Sequence, residues 1–459
     1  MNEISIKNIF DEKIKINTII KIKGWIKSKR DSKLGLSFLS IYDGSHINFA
    51  QVIVKKKIYN YEKILKLTTG CSLEIEGKLI YSLGKKQKYE IEAKIIKIIG
   101  LVYKKESYPI SLKNHSNNFL RNMAHLRPRT NLISAIMRIR NSLSYEIHNF
   151  LYKNGYCLIS TPLITTLNTE GSGEVFNIIT ESKNKNNDKK YQSNFFKKKA
   201  FLTVSGQLHL ESYACALSKV YTFGPTFRAE NSNTRRHLCE FWMLEIEKAF
   251  SNLEDINIIA EVLLKYLFKK IIKKCNNDLI FLSNNNDNII ERLKKNIKSK
   301  FIQIDYNEAI KILYKYNKIF DKKIYWGSEI YKEHEIYLTN KYFNSPIIIK
   351  NYPQNIKAFY MRLNNDNKTV AAMDIIFPNV GEVIGGSQRE ERLKILDLNL
   401  KKMNLKKSDY WWYRDLRKYG TVPHSGFGLG FERLISYITG VKNIKDLIPF
   451  PRTPKNANF

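Results

Sequence analysis

The chain has 459 residues, enough for two or more domains and a large buried core. Its formal net charge is +34, from 77 Lys and Arg against 43 Asp and Glu, which favours a polyanionic partner. Lysine greatly outnumbers arginine, and Ile, Asn, Tyr and Phe are abundant, as drift toward A/T-rich codons produces; the charge supports nucleic-acid binding without establishing it.

Cys71, Cys157, Cys215, Cys239 and Cys275 are scattered with no C-x-x-C pair, which disfavours both a disulfide framework and a zinc site and fits a reducing compartment. The opening MNEISIKNIFDEK carries acids and no long apolar run, unlike a secretory signal. No segment approaches the roughly 20 apolar residues of a membrane span. A soluble, cytoplasmic protein is expected.

From Ile14 to Ile99 short alternating runs are separated by turns. Ile20, Ile22, Gly24 and Ile26 alternate with polar residues, and Leu36 to Ile41 ends in the turn Asp43-Gly44. Ile47 to Val54, Leu73 to Gly77 and Tyr89 to Ile99 complete five strands, the pattern of a small closed oligonucleotide-binding barrel. Periodicity alone also fits a generic antiparallel sheet. Lys104 to Arg129, with Pro109 and Pro128, reads as a hinge. A helix is then predicted after Thr130, with the apolar stripe Leu132, Ile136, Ile139, Leu143, Ile147 and Leu151, stopped by Gly155.

Further along, Glu181 to Lys199 is rich in Lys and Asn and reads as a solvated loop. Ser251 to Lys274 is amphipathic, Ile289, Ile290, Leu293 and Ile297 recur at helical spacing, and Trp411 to Tyr419 reads as a helix. The expected organisation is α+β: a barrel at 1–103, a hinge at 104–129, and a second domain at 130–459. That domain would carry a basic loop near 181–199 and a peripheral helical insertion near 276–345.

Two segments carry chemistry. Phe227 to Glu230 and Glu240 to Glu245 read as extended runs flanking Asn231 to Cys239, a loop too polar and basic for a core. Arg228 offers a planar fork to a phosphate and Phe241 a flat face to a base, although an ordinary charged hairpin has the same composition. In Gly426-Phe427-Gly428-Leu429-Gly430, glycine at every second position clears one strand face, so that a ligand can lie against the backbone. The strand runs into the helix Leu434 to Ile438, with Arg433 at the junction. The dinucleotide fingerprint, whose glycines form a turn, does not fit.

The C-terminal run resembles motif 3 of the class II aminoacyl-tRNA synthetases, and the Phe227–Glu247 hairpin resembles their motif 2. The long helix followed by Tyr156-Cys157-Leu158-Ile159-Ser160-Thr161-Pro162 resembles motif 1. Ser205 to Glu211, Phe223 to Glu230 and Gly385 to Glu390 are similar to the aspartate/asparagine/lysine subclass, in its bacterial asparagine-specific form, over nearly the whole chain. The resemblance implies a catalytic domain built on an antiparallel sheet flanked by helices. The motif 1 helix and strand would form a homodimer interface. It also implies ATP-dependent ligation of L-asparagine to tRNA(Asn) through an asparaginyl-adenylate, with release of AMP and diphosphate.

On the same resemblance, Arg228 binds the α-phosphate and the substrate carboxylate, and Arg433 the γ-phosphate. Phe241 stacks under adenine, Glu230 accepts from its amino group, and Arg236, His237 and Gly430 complete the ATP site. Asp374 and Glu382 would hold Mg²⁺, which takes hard oxygen ligands and keeps several waters. Glu170 meets the substrate ammonium, with Ser205 and Gln207 at the same end. Where the aspartate enzymes carry a lysine, the matching position is Leu210. Glu245 is then expected to accept from the amide NH₂ while Arg389 donates to the amide oxygen, the complement of asparagine. Trp25, Arg30, Phe38 and Gln51 match the order of the anticodon-binding domain, with Arg30, Phe38 and Gln51 as its tRNA contacts. The rival readings are an aspartate enzyme with relaxed tRNA choice, which Leu210 disfavours, and an amide-forming paralogue, which would lack the barrel. A non-catalytic RNA-binding relative would be expected to lose Arg228, Glu382 or Arg433.

Overall fold

The computed structural model describes residues 3–84, 87–104, 107–110, 115–167, 174–183, 190–193, 195–283 and 288–459; Glu170 and residues 184–189 lie outside them. The chain divides into two compact units, Met1–Arg138 and Ile139–Phe459.

In the first unit five strands close a barrel in the order β1-β2-β3-β5-β4: β1 Ile19–Ser32, β2 Leu36–Tyr42, β3 Ala50–Lys55, β4 Ser72–Tyr81 and β5 Tyr89–Gly100. Only the β3–β5 pairing is parallel. The alternation legible in the sequence fills the interior: Ile20, Ile22, Ile26, Leu39, Ile41, Val52, Val54, Leu73 and Ile75 are buried there. A bulge in β1 between Ile26 and Ser28 changes which parity faces inward. Beyond it Lys29 is covered, its ammonium donating to the Leu65 carbonyl. Arg30 turns outward opposite Phe38, its guanidinium carbon 5.0 Å from the ring centroid. Gln51 shares that outer face and donates to Glu90 at 2.9 Å.

Helix α1 (Asn131–Lys153) buries Ile136, Ile139, Leu143, Ile147 and Leu151 as its spacing predicts, but Ile133 rather than Leu132 is the covered residue at its start. Gly155 follows with a left-handed φ of +77°, a conformation that costs a residue without a β-carbon little.

The second unit is built on an eight-stranded sheet among the described residues: β6 Cys157–Leu158, β7 Lys219–Phe227, β8 Glu240–Ala249, β9 Ile302–Asp305, β10 Ile347–Pro353, β11 Thr369–Phe377, β12 Gly381–Gln388 and β13 His424–Gly430. Their order is β9-β10-β11-β12-β13-β8-β7-β6. The edge strands β9 and β6 run parallel to their neighbours and the rest are antiparallel. Helices α2 (Gln207–Leu217), α3 (Leu253–Lys274), α4 (Lys332–Ile336), α5 (Trp411–Lys418) and α6 (Phe431–Thr439) belong to the same unit, and α4 runs on as a π-helical stretch, Tyr337–Tyr342. α3 starts with a capping box in which Asn252 accepts from the Asp255 N–H and Asp255 accepts from the Asn252 N–H.

Two expectations need correction. The segment 276–345 is not a purely helical excursion, because Ile302–Asp305 adds a strand to the sheet, and Ile304, Tyr306, Ile310 and Leu313 share a core with β10 and β11. The strand is short and follows a helix, so its period-2 signal is hidden in the sequence. The Lys/Asn-rich segment is not wholly irregular either: Thr180–Lys183 pairs with Lys190–Ser193 as an antiparallel ribbon. Backbone hydrogen bonds form such a ribbon whatever the side-chain composition.

Candidate active site

Side chains alternate across a strand, so the cross-strand register identifies which residues share one face. On β8 that face carries Phe241, Met243, Glu245 and Glu247. Opposite them on β13 stand Gly430 beside Met243, Gly428 beside Glu245 and Gly426 beside Glu247. β12 adds Gly385 next to Gly428 and Ser387 next to Gly426, and β11 adds Asp374 next to Gly385. The glycine alternation thus produces a bare strand in the middle of the face.

The space above that strand is shared between ligand and protein. The side chain of Glu247 lies where a β-carbon on Gly426 would stand, and Met243 Cε is 2.5 Å from the same point on Gly428. Over Gly430 no heavy atom comes closer than 3.5 Å, and that one belongs to Arg433. The expectation that the whole glycine row lies open to a ligand therefore holds only toward Gly430, because longer side chains from the neighbouring strand fold over the rest.

A pocket opens at that end, lined among others by Arg228, Glu230, Arg236, His237, Phe241, Glu382, Gly430 and Arg433. All eight residues assigned to a nucleotide in the sequence converge on it. Arg228 lies just past the end of β7, its backbone N–H donating to the Cys239 carbonyl at 2.9 Å and its guanidinium carbon 5.6 Å from the Phe241 centroid. His237 Nδ1 is 2.7 Å from Thr234 Oγ1 and 3.0 Å from Ser232 Oγ. Burial, followed by the charges of Arg433, Arg228 and Arg236 against that of Glu230, lowers its pKa and favours the neutral ring. Arg433 donates to the Glu382 carbonyl at 2.8 Å and lies 3.6 Å from its carboxylate.

Asp374 and Glu382 face each other over Gly385, where a β-carbon would stand 2.8 Å from Glu382 Oε1 and 3.4 Å from Asp374 Oδ1. Lys357 holds Asp374 at 2.8 Å. Burial raises the Asp374 pKa and the charge of Glu382 adds to the rise, while Lys357 opposes it. Two hard oxygen donors above a residue with no side chain fit a magnesium ion that takes its other ligands from phosphate and water. Among the described residues no group of three or more His, Cys, Asp or Glu could cage a metal.

The other end of the face differs from the sequence reading. Glu245 is not a free acceptor: its Oε1 accepts from the Ser205 hydroxyl and its Oε2 from the Gly206 N–H at 2.8 Å, so it anchors the turn before α2. Arg389, 2 % exposed, grips Glu247 through Nε at 3.1 Å and again through Nη2, while Nη1 donates to Ser387 at 2.6 Å. Leu210 is fully buried against Ala214 and Val220.

The residue after it, Glu211, is the carboxylate that the sequence reading missed. It is wholly buried and accepts from Arg417 at 2.8 Å, the Tyr413 hydroxyl at 2.8 Å and Gln207 at 3.1 Å; His424 Nε2 is 2.9 Å away and Arg389 4.0 Å away. Burial raises its pKa, but the charge of Arg417 and the His424 contact outweigh this and hold it well below the usual carboxylate range. Glu247 goes the other way: burial, reinforced by the charge of Glu211, raises its pKa against the pull of Arg389. A signal was present, since Gln207 and Glu211 sit four apart and therefore share a face of α2. Arg417, Tyr413 and His424 come from distant chain positions and carry no such signal.

A family model described as tRNA synthetases class II (D, K and N) matches residues 116–454, and one described as an OB-fold nucleic acid binding domain matches residues 20–99. The chain belongs to the class II (D, K and N) tRNA synthetases. It is 58 % identical to the asparagine–tRNA ligase of Buchnera aphidicola (Acyrthosiphon pisum) and 53 % identical to that of Photorhabdus laumondii, over the full length of each chain. The asparaginyl-tRNA synthetase of Pyrococcus horikoshii in complex with asparaginyl-adenylate superimposes with a TM-score of 0.88 at 31 % identity, over 100 % of this chain and 99 % of that one. The Entamoeba histolytica synthetase in its adenylate complex gives 0.85 at 26 % identity, over 99 % and 98 %.

Arg228→Ala and Arg433→Ala should each lower ATP–pyrophosphate exchange by about two to three decades, since a developing phosphate charge left without its donor costs roughly 3–4 kcal/mol. Thermal melts should match the parent protein. Near-normal exchange in both variants would remove the nucleotide from this pocket.

Proposed function

We infer that the chain joins L-asparagine to tRNA(Asn), using ATP to form asparaginyl-adenylate and releasing diphosphate and then AMP. The observation that carries this reading is the continuous sheet face. It runs from a pocket rich in arginine at Gly430 to a buried end where two guanidiniums, Arg389 and Arg417, meet two carboxylates, Glu211 and Glu247.

Adenylation is an in-line displacement at the α-phosphate, so positioning and charge neutralisation supply the catalysis. Arg228 draws the substrate carboxylate and the α-phosphate together, Arg433 holds the far end of the phosphate chain, Phe241 supports adenine, and Glu230, Arg236 and His237 close the rim. Asp374 and Glu382 would hold magnesium, which supplies charge neutralisation on the phosphates when bound. Ser205, Gln207 and the loop of Glu170 receive the amino acid.

Selection of the amide follows from charge balance. The buried end already pairs one carboxylate with each guanidinium, so a neutral amide fits while a third carboxylate, that of aspartate, enters against Glu211 and Glu247. Arg389 keeps unused Nη hydrogens for the amide oxygen, and Glu211 rather than Glu245 is the nearest carboxylate to it beyond Glu247. In this reading Arg30, Phe38 and Gln51 on the outer barrel face meet the anticodon. Two chains pair through α1 and β6, which present Tyr145, Tyr152 and Leu158 at 59, 81 and 48 % exposure. The enzyme works in the cytoplasm, where its tRNA is; no helix among the described residues is long and apolar enough to cross a membrane, and none of the five cysteines is in a disulfide.

Pyrophosphate exchange measured with each amino acid in turn tests the whole reading, with asparagine expected to give the only strong signal. Exchange driven best by aspartate would overturn the amide assignment. Glu211→Gln should raise the asparagine KM by roughly thirtyfold or more, since removing the charge of one member of a buried pair costs about 2–5 kcal/mol. The same change should narrow the preference over aspartate and leave the ATP KM unchanged. Phe38→Ala should leave exchange intact but weaken tRNA charging, through loss of roughly 1–3 kcal/mol of base stacking. Equal loss in both assays would make Phe38 a structural residue.

A further inference from the structure

The loop Asn231–Cys239 carries Arg236 into the nucleotide pocket, yet its composition is polar and it has little apolar surface of its own to fix it. The structure supplies a latch from elsewhere in the chain. Arg236 Nη2 donates to the backbone carbonyl of Asn379 at 3.1 Å, and its Nη1 lies 3.6 Å from Glu335 Oε2. Asn379 is at the tip of the β11–β12 hairpin with φ +65°. Its N–H donates to Asn340 Oδ1 at 3.1 Å, and Asn340 Nδ2 donates back to Asn379 Oδ1 at 2.7 Å. Both Glu335 and Asn340 belong to α4 and its π-helical extension.

Gly381 shows how tight this junction is. It has φ +90°, and a β-carbon there would collide with Glu335 Oε2 and come 2.7 Å from Arg236 Nη1. The next residue is Glu382, whose carbonyl accepts from Arg433. Loop, hairpin tip and helix are thus joined at one point, directly beside the carboxylate assigned to magnesium. The side chains of Glu335 and Arg236 are only 14 and 21 % exposed, so their attraction is screened less than that of a surface pair.

We propose that Glu335 and Asn340 are positioning residues for the nucleotide: they fix Arg236 and the β11–β12 tip in register, so that the loop arginine and Glu382 face the phosphate chain together. The proposal rests on the reading of this pocket as the ATP site. A guanidinium has five N–H donors, so Arg236 can hold Glu335 and the Asn379 carbonyl and still offer hydrogens to a phosphate. Without Glu335 the arginine regains its rotamer freedom, and ATP binding must order it again. The amino-acid end lies at the opposite end of the sheet face and is untouched.

The test is pyrophosphate exchange on the full chain with Glu335→Gln, Glu335→Asp, Asn340→Ala, Arg236→Ala and the Arg236→Ala/Glu335→Gln double variant, with thermal melts for each. The expected result is an ATP KM raised by several-fold to about tenfold in Glu335→Gln, the cost of one immobilised side chain. The asparagine KM should be unchanged, Asn340→Ala should show a smaller rise, and Glu335→Asp should recover part of the loss. The double variant should be no worse than Arg236→Ala, because both changes remove one interaction. An unchanged ATP KM in Glu335→Gln, while Arg228→Ala still abolishes exchange, overturns the positioning role and leaves the nucleotide site standing. Additive effects in the double variant, or a fall in kcat and melting temperature with both KM values unchanged, also overturn it. Normal exchange in Arg228→Ala and Arg433→Ala would remove the nucleotide reading itself.

Discussion

The active face depends on one strand that its glycines leave bare from residue 426 to residue 430. With Gly426, Gly428 and Gly430 all turned toward the site, β13 leaves a trough in the middle of an antiparallel sheet. Each neighbour uses that trough differently. Glu247 folds over one end, where it meets Arg389; Met243 covers the middle; the far end stays open between Phe241 and Arg433. A β-carbon at Gly426 would overlap the Glu247 carboxylate, so the bare strand is a condition for the buried charges as well as for the ligand.

Burying two guanidiniums and two carboxylates is costly, and the geometry offsets that cost with donors and acceptors on every side. Glu211 receives Arg417, Tyr413 and Gln207, with His424 at 2.9 Å, while Arg389 is held by Glu247 and Ser387. The result is an electrostatic environment fixed before substrate arrives. Asparagine and aspartate have nearly the same shape, so a pocket can separate them only by hydrogen-bond polarity and charge. On the proposed reading, the buried cluster supplies both.

The nucleotide end is built on a different plan. Its charges lie on a loop, a hairpin tip and a strand–helix junction, and several are partly exposed. Glu335 lies among them, its pKa raised to about 7, first by burial and then by the charge of Glu382, with Arg236 and Arg433 opposing. The loop arginine and the hairpin acid are tied to the same few atoms, so a change at one is felt at the other. That arrangement suits a site that must hold a flexible, highly charged chain in one conformation.

Much of this was legible in residue order. Strand alternation from Ile20 to Ile99 encodes the barrel because one face of each strand must be apolar to close it, and the stripe from Ile136 to Leu151 encodes a helix for the same reason. That eight residues assigned together would line one pocket was also readable, since they cluster in three short motifs whose spacing is local. Tertiary structure decided what depends on contacts between distant positions. The bulge after Ile26 turns Arg30 outward, and Ile302–Asp305 joins a sheet whose other strands lie far along the chain. Glu245, the acceptor expected from the sequence, is spent on Ser205 and Gly206, while Glu211, one residue past Leu210, receives partners from beyond residue 410. Local sequence sets periodicity and turn chemistry; which buried charge meets which is settled only when the strands align, because a shift of one residue on a helix or strand points the side chain another way.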